Sequence, residues 1–355
     1  MNGLTLRHLR SGLVAALALC AALQGARAAP AAVPLIAPAS PVWDAGKGFD
    51  FDLGKKKTIK TRQSVSGIAC NLDARQRRVC LLAFDEGAQA RYAVLKTDHL
   101  KPDASPVEFA GVAGELDAEA AATDGRYLYV TGSHSAKRSD CASNPGSRHV
   151  IRLPLDPATG QALPTGHGDT TRLWSLMQAQ PALQAHVGER ICLGRAPYGI
   201  NIEGLAVQGG QLHFGFRGPV TDGVAPVLTV RADALFQGGD PQPRVSQLAL
   251  GEHRGIRDMV AVSDGILLLA GPDDEDAGAN VGWALYHWNG QPTPHRITPR
   301  PLAALDLRRV QLRSCDKTLK PEAITVLKET PQTYTVLILS DGMCDGGAMV
   351  FEVAR

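Results

Sequence analysis

Five times along this chain a small or acidic residue opens an apolar stretch, a tight turn follows, a second apolar stretch returns, and polar residues close the unit. The openings are Ser66, Glu119, Glu203, Asp258 and Glu322, at intervals of 53, 84, 55 and 64 residues. Asp124-Gly125, Gly209-Gly210 and Asp264-Gly265 mark three of the turns, and such dipeptides suit short β-hairpins. Further strand-like runs follow most hairpins: Tyr92 to Lys96, Val150 to Leu155, Pro226 to Val230, Trp283 to Trp288 and Met349 to Val353. A period near fifty with four strands per unit predicts an all-β propeller of five four-stranded blades, six being the alternative count. A β-sandwich pair would also supply many short strands, but it gives no reason for the same opening five times. The longest interval holds an insertion. Thr170 to Val187 reads as helical, with Leu173, Leu176 and Met177 on one face and Pro181 breaking it into two pieces.

The ends of the chain are less regular. Arg7, His8 and Arg10 precede an apolar run from Gly12 to Leu23, and Ala26-Arg27-Ala28 closes it with small residues. This is the pattern of a signal peptide, residues 1–28, cleaved after Ala28. A membrane anchor would need roughly 20 apolar residues, and Leu17-Ala18-Leu19 before Cys20 is a poor lipidation signal. Residues 29–50 read as an Ala/Pro-rich tether, and 51–355 as a single propeller domain. The mature chain is then periplasmic or secreted, with no transmembrane segment, and is expected to be a monomer. Lys55-Lys56-Lys57 reads as a solvated strand edge.

Composition narrows the partners. The 355 residues include 37 Lys+Arg and 35 Asp+Glu. Loss of Arg7, Arg10 and Arg27 with the leader leaves 34 basic residues, so no basic footprint argues for nucleic acid. Hydrophobic residues at 44% suffice for a core.

Six cysteines remain in an oxidising compartment, so disulfides are the default. The repeat register selects the pairs. Cys70 and Cys80 stand on two arms of one hairpin. Cys141 follows the second strand of one repeat and Cys192 precedes the first of the next. Cys315 and Cys344 flank the last hairpin. The expected pairs are Cys70–Cys80, Cys141–Cys192 and Cys315–Cys344.

The same register places Ser66, Glu119, Glu203, Asp258 and Glu322 around one mouth of the central channel. Asp85, Glu86, His134, Arg217, Asp273 and Asp341 fall near them. Converging carboxylates repel one another and call for a cation, a proton or an arginine. Glu119, Glu203, Asp258 and Glu322 are therefore candidate ligands for Ca²⁺ or Mg²⁺, with Asp85 and Asp341 as further binding residues. His134 and Arg217 are the catalytic candidates, His134 as general base and Arg217 holding an anionic group. The structural alternative pairs Glu203 with Arg217, and Asp258 or Glu322 with other arginines or backbone N–H groups, without chemistry. Asp273 to Asp276 form an acidic loop without EF-hand spacing.

The phrases Gly132-Ser133-His134-Ser135, Asn201-Ile202-Glu203-Gly204-Leu205-Ala206, Gly215-Phe216-Arg217-Gly218-Pro219, Ile256-Arg257-Asp258 and Lys320-Pro321-Glu322 occur in that order. In these the chain resembles an uncharacterised secreted bacterial family, domain of unknown function 3616, from about Ser64 onward. The resemblance implies a β-propeller and no assigned activity. Ala323 stands where the family leads one to expect glycine. A more distant similarity is to phytase-like and lactonase-like esterase propellers. Two functions are thus expected in competition: binding of a small molecule, cation or protein partner at the acidic mouth, or metal-dependent ester or phosphoester hydrolysis there.

Overall fold

The structure, a computed structural model, describes Met1 and residues 32–109, 111–274 and 280–355. The leader reading and part of the acidic loop, Glu275 and Asp276, lie outside the described residues. The compact unit runs from Val33 to Arg355.

Its strands form five antiparallel blades. Blade 1 contains Val65–Leu72, Arg78–Phe84, Gln89–Leu95 and Leu100–Glu108. Blade 2 contains Ala118–Thr123, Tyr127–Gly132, Val150–Asp156 and Gly168–Thr170. Blade 3 contains Asn201–Gln208, Gln211–Gly218, Val224–Arg231 and Arg244–Ala249, with Arg296–Ile297 added in parallel. Blade 4 contains Arg254–Val262, Gly265–Pro272, Ala284–Trp288 and Arg300–Leu305. Blade 5 has only Lys320–Glu329, Thr333–Asp341 and Met349–Ala354. The first strand of each blade packs against the first strands of its two neighbours, which closes a ring around an axis.

Burial explains why these segments are strands of a propeller and not of a sandwich. The inner strands are buried on both faces; Asn201–Gln208 is buried along all but its last residue. Five separate apolar clusters fill the structure, one at each blade interface. A sandwich would have one central layer. Gly209 and Gly210 both take positive φ, +57° and +74°, as the turn joining the first two strands of blade 3 requires. Gly67 serves a different need: a Cβ there would lie 2.7 Å from the backbone nitrogen of Ala121. Only glycine lets blades 1 and 2 approach so closely near the axis.

Three expectations change. Blade 5 is three-stranded, not four-stranded. The tether reading of 29–50 fails from Val33 on, because this stretch is stapled to the rim. Leu35–Ile36 pairs in parallel with Arg300–Leu305 of blade 4. Ala39 and Trp43 donate backbone N–H groups to Val350 and Ala348 beside blade 5, at 2.7 and 2.8 Å. Asp44 O accepts from Leu100 N of blade 1 at 2.9 Å. Phe49 and Phe51 then pack edge-on against Phe84. Proline and alanine hid the strand period here, while Trp43, Phe49 and Phe51 supplied the burial. Third, Lys55 to Lys57 open a short helix, Lys55–Arg62, and do not form a strand edge. The insertion agrees with its reading: helix Arg172–Gln178 and a turn at Gln184–His186, with Leu173 and Met177 fully buried.

The three expected disulfides are present, with Cα–Cα distances of 4.0, 5.1 and 6.0 Å for Cys70–Cys80, Cys141–Cys192 and Cys315–Cys344. Among the described residues no helix is long and apolar enough to cross a membrane.

Candidate functional site

Each inner strand slips register against its second strand at one shared level, and the inner strands of blades 3 and 5 slip a second time. In blade 1 Val65 pairs with Phe84 and Gly67 with Ala83, so Ser66 is bulged. The corresponding bulged residues are Glu119 in blade 2, Glu203 in blade 3, Arg257 in blade 4 and Glu322 in blade 5. A β-bulge adds one residue to one strand and re-aims its side chain. Here five bulges carry five side chains to one end of the axis, in the order Ser66, Glu119, Glu203, Arg257, Glu322.

This corrects the expected ring by one residue. Asp258 is not its blade 4 member. Asp258 pairs normally with Leu269 and is fully buried. Its Oδ1 accepts from Met259 N and its Oδ2 from Ile324 N, both at 2.7 Å. Leu205 N adds a third backbone donor, yet burial still pushes the carboxyl well above its usual range. The residue ties the inner strands of blades 3, 4 and 5 together.

Arg257 does what a cation was expected to do. Its Nε lies 2.9 Å from Glu203 Oε2, a charge contact without hydrogen-bond alignment. Its Nη2 meets Glu322 Oε1. Glu203 Oε1 also accepts from Arg217 Nη1 at 2.9 Å and Asn201 Nδ2 at 3.0 Å. Burial lowers the Arg257 guanidinium to about 10, with Arg217 adding to the shift and Glu203 opposing it. The pairing of Glu203 with Arg217 is the one the structural alternative named.

The acids of blades 1, 2 and 5 behave differently. Glu119 has no hydrogen bond or ion pair among the described residues. Burial, then the charges of Glu203, Asp117 and Asp85, push its carboxyl well above the ordinary range. Asp85 stands just past the second strand of blade 1, with Oδ1 buried and without a partner. Burial and the Asp341 and Asp117 carboxylates raise it strongly. Asp117 accepts from Ser133 Oγ; burial nevertheless raises it to about 6. Asp341, 3.7 Å from Lys320 Nζ, is raised by burial against the pull of that lysine.

The mouth is therefore divided by charge. On the side of blades 3 to 5, Arg217, Arg257 and Lys320 border a cavity of about 320 Å³ with Trp283 in its wall. A second cavity is lined by Ala69, Ala122, Ala206, Ala261 and Thr325 from the five inner strands, with Arg78 and Thr123 adding polar groups.

Other expected members lie elsewhere. His134 is fully buried with φ +57°. Its Nδ1 donates to Gly132 O at 3.0 Å and its Nε2 has no partner. Burial lowers it to about 4, with Arg148 and His149 adding to the shift. Among the described residues it makes no hydrogen bond to a ring residue. Glu86 pairs with Lys60 on the rim. Asp273 takes part through its backbone, accepting from Arg217 Nε at 2.9 Å, while its side chain lies 3.6 Å from His253. The four carboxylates expected to hold Ca²⁺ or Mg²⁺ do not form a cage. Among the described residues the one set of three metal-type ligand atoms within 4.8 Å is Cys315, Asp316 and Cys344, and its two cysteines are bonded to each other.

The sequence reading missed Asp117 and Lys320, although a signal was present. Asp117 and Lys320 stand two residues before Glu119 and Glu322, as Asn201 stands two before Glu203.

The family model described as "Protein of unknown function (DUF3616)" matches residues 81–153 and 161–346. The chain belongs to this family. The match begins within the second strand of blade 1 and spans the hairpins of blades 2 to 5. No curated protein matches the chain in sequence. Among solved structures, a GH43 β-1,3-galactosidase aligns with 91% of this chain and 60% of its own, at 11% identity and a TM-score of 0.46. The chain thus spans 60% of that protein's length. A glycosyl hydrolase from Bacteroides ovatus aligns over 82% of this chain and 83% of its own, at 11% identity and a TM-score of 0.42. PQQ-bound aldose sugar dehydrogenase from Streptomyces coelicolor aligns over 82% and 94%, at 13% identity and 0.38. Likeness at this level lends nothing to the site, and the DUF3616 mouth is read from its own residues.

Proposed function

We propose that this DUF3616 protein is a binding protein that holds a small polar ligand at the charged end of its axial channel, in an oxidising compartment outside the cytoplasm. One observation carries the reading: whereas Glu203, Arg257 and Glu322 of the ring are joined by ion pairs, Glu119 has no partner among the described residues, and beside it Asp85 Oδ1 is buried without one. Unsatisfied buried acceptors are costly, and concave polar mouths are where ligands bind. Three disulfides support the compartment. The test is a thermal-shift and NMR screen of small polar solutes against wild type and Glu119→Gln. Hits that the substitution abolishes support the reading, and hits that it leaves untouched refute it.

Hydrolysis at the same mouth is a second reading, favoured by Asp117. Its carboxyl, raised to about 6, keeps its proton into mildly acidic solution, which lets it act as a general acid there. This version needs no metal cage, since Arg257 already supplies the cation of the ring. Ester, phosphoester and glycoside panels with and without chelator test it. Turnover lost in Asp117→Asn supports acid catalysis, and chelator-sensitive turnover would return the metal-dependent version.

A further inference from the structure

The fivefold ring contains an internal comparison. In blade 4 the bulged residue, Arg257, stands between the bulged glutamates of its two neighbours, Glu203 and Glu322, and contacts both. Around the ring Glu322 has a second neighbour, blade 1, whose bulged residue is flanked in the same way by Glu322 and Glu119. That residue is Ser66, a side chain too short to reach both. The two oxygens of Glu322 divide accordingly. Oε1 meets Arg257, while Oε2 turns toward blade 1, where Ser66 Oγ lies 3.5 Å away. Position for position, blade 1 repeats the glutamate–cation–glutamate arrangement of blade 4 with the cation missing.

What surrounds Ser66 is rich in acceptors. Besides Glu322 Oε2 there are the unpaired Glu119 carboxylate and the buried, unpartnered Asp85 Oδ1. Asp117 and Asp341 lie close enough to raise Asp85 further. Ser66 and Glu322 are buried, whereas Glu119 and Asp85 keep partial exposure, so solvent reaches the site at their level. A bare Ca²⁺ needs six to eight oxygens at about 2.3–2.6 Å, and among the described residues no three carboxylates bring ligand atoms within 4.8 Å of one another here. A group that carries its own N–H donors spans wider gaps. Arg257 demonstrates this in the neighbouring position.

We infer that the group recognised at this mouth is an organic cation, a guanidinium or primary ammonium of a small ligand, seated over Ser66 between Glu119 and Glu322 with Asp85 as a further acceptor. The inference rests on the reading of the mouth as a ligand site and adds the chemical class. Charge-assisted hydrogen bonds to carboxylates are the strong kind, so loss of one carboxylate charge should weaken binding by about tenfold or more.

The experiment uses mature protein and four probes in calorimetric titration and thermal shift: agmatine, putrescine, galacturonate and mannitol. Agmatine or putrescine should bind, and the other two should not. Glu119→Gln should weaken amine binding at least about tenfold while the protein stays folded, since it removes a repelled charge. Ser66→Arg supplies the cation from within; it should abolish amine binding and raise the melting temperature of the free protein. Should Ser66→Arg fail to fold, Glu119→Gln decides alone. Binding of galacturonate or mannitol, sensitive to Glu119→Gln, without amine binding overturns the cation class and leaves the mouth as a ligand site. Amine binding unaffected by Glu119→Gln overturns the placement. No binding of any probe overturns the class as well, and the broader screen then decides the fate of the binding reading.

Discussion

Arg257 Nε and Glu203 Oε2, on the inner strands of adjoining blades, approach to 2.9 Å with both side chains 3% exposed. The same guanidinium reaches Glu322 on the other side. One buried cation thus serves two buried carboxylates from the blades that flank it. Breaking a buried pair by removing one partner costs about 3–5 kcal/mol, because a charge is left uncompensated. Arg257→Met should therefore lower stability by at least this order in urea denaturation. Adding Glu203→Gln and Glu322→Gln should recover most of the loss. Failure of the triple variant to recover would mean that Arg257 stabilises by packing and not by charge.

The mouth acids set a pH dependence whose sign is fixed. Asp117 is raised to about 6 in the folded chain, above its unfolded value near 3.9. The folded state binds the proton more tightly, so this group favours folding below the unfolded value and loses that contribution as pH rises through about 6. His134 and His213, lowered to about 4 by burial, act oppositely between about 4 and 6.5. Asp117→Asn isolates the first effect. Relative to wild type it should gain on the order of 2 kcal/mol between pH 4 and pH 7.5. A difference independent of pH would show that Asp117 titrates normally.

Phe49, 2% exposed, packs edge-on against Phe84 with ring centroids 5.5 Å apart. If the N-terminal stretch staples the ring, Phe49→Ala should cost about 3–5 kcal/mol, as for other large core truncations. A flexible tether would show no change in the melting curve.

Cys141–Cys192 closes a separation of 51 residues across the helical insertion. Replacing both by serine should cost about 2–4 kcal/mol. Thiol titration of the denatured, unreduced mature protein should find no free thiol. One or more free thiols would contradict the pairing.

Much of the fold was legible because a propeller repeats. Hairpin turns such as Gly209-Gly210, apolar runs between them and a period near fifty lead to five blades and to the register that pairs the cysteines. The staple was not legible, since Pro34, Pro38 and Pro41 interrupt any strand pattern, and pairing with edges distant in sequence leaves no local mark. The ring was legible to within one residue. Reading an acid at each opening selected Asp258 over Arg257, because the bulge that decides which residue faces the axis depends on backbone pairing. The full burial of His134, held at φ +57°, was likewise not legible from its place in the repeat.

The most direct measurement of the mouth is a crystal structure of the mature protein with and without agmatine. The account predicts Arg257 between Glu203 and Glu322, Glu119 unpaired in the free protein, and the added cation over Ser66 in contact with Glu119. Glu119 paired with a side chain of its own chain, and a mouth unchanged by the ligand, would contradict it.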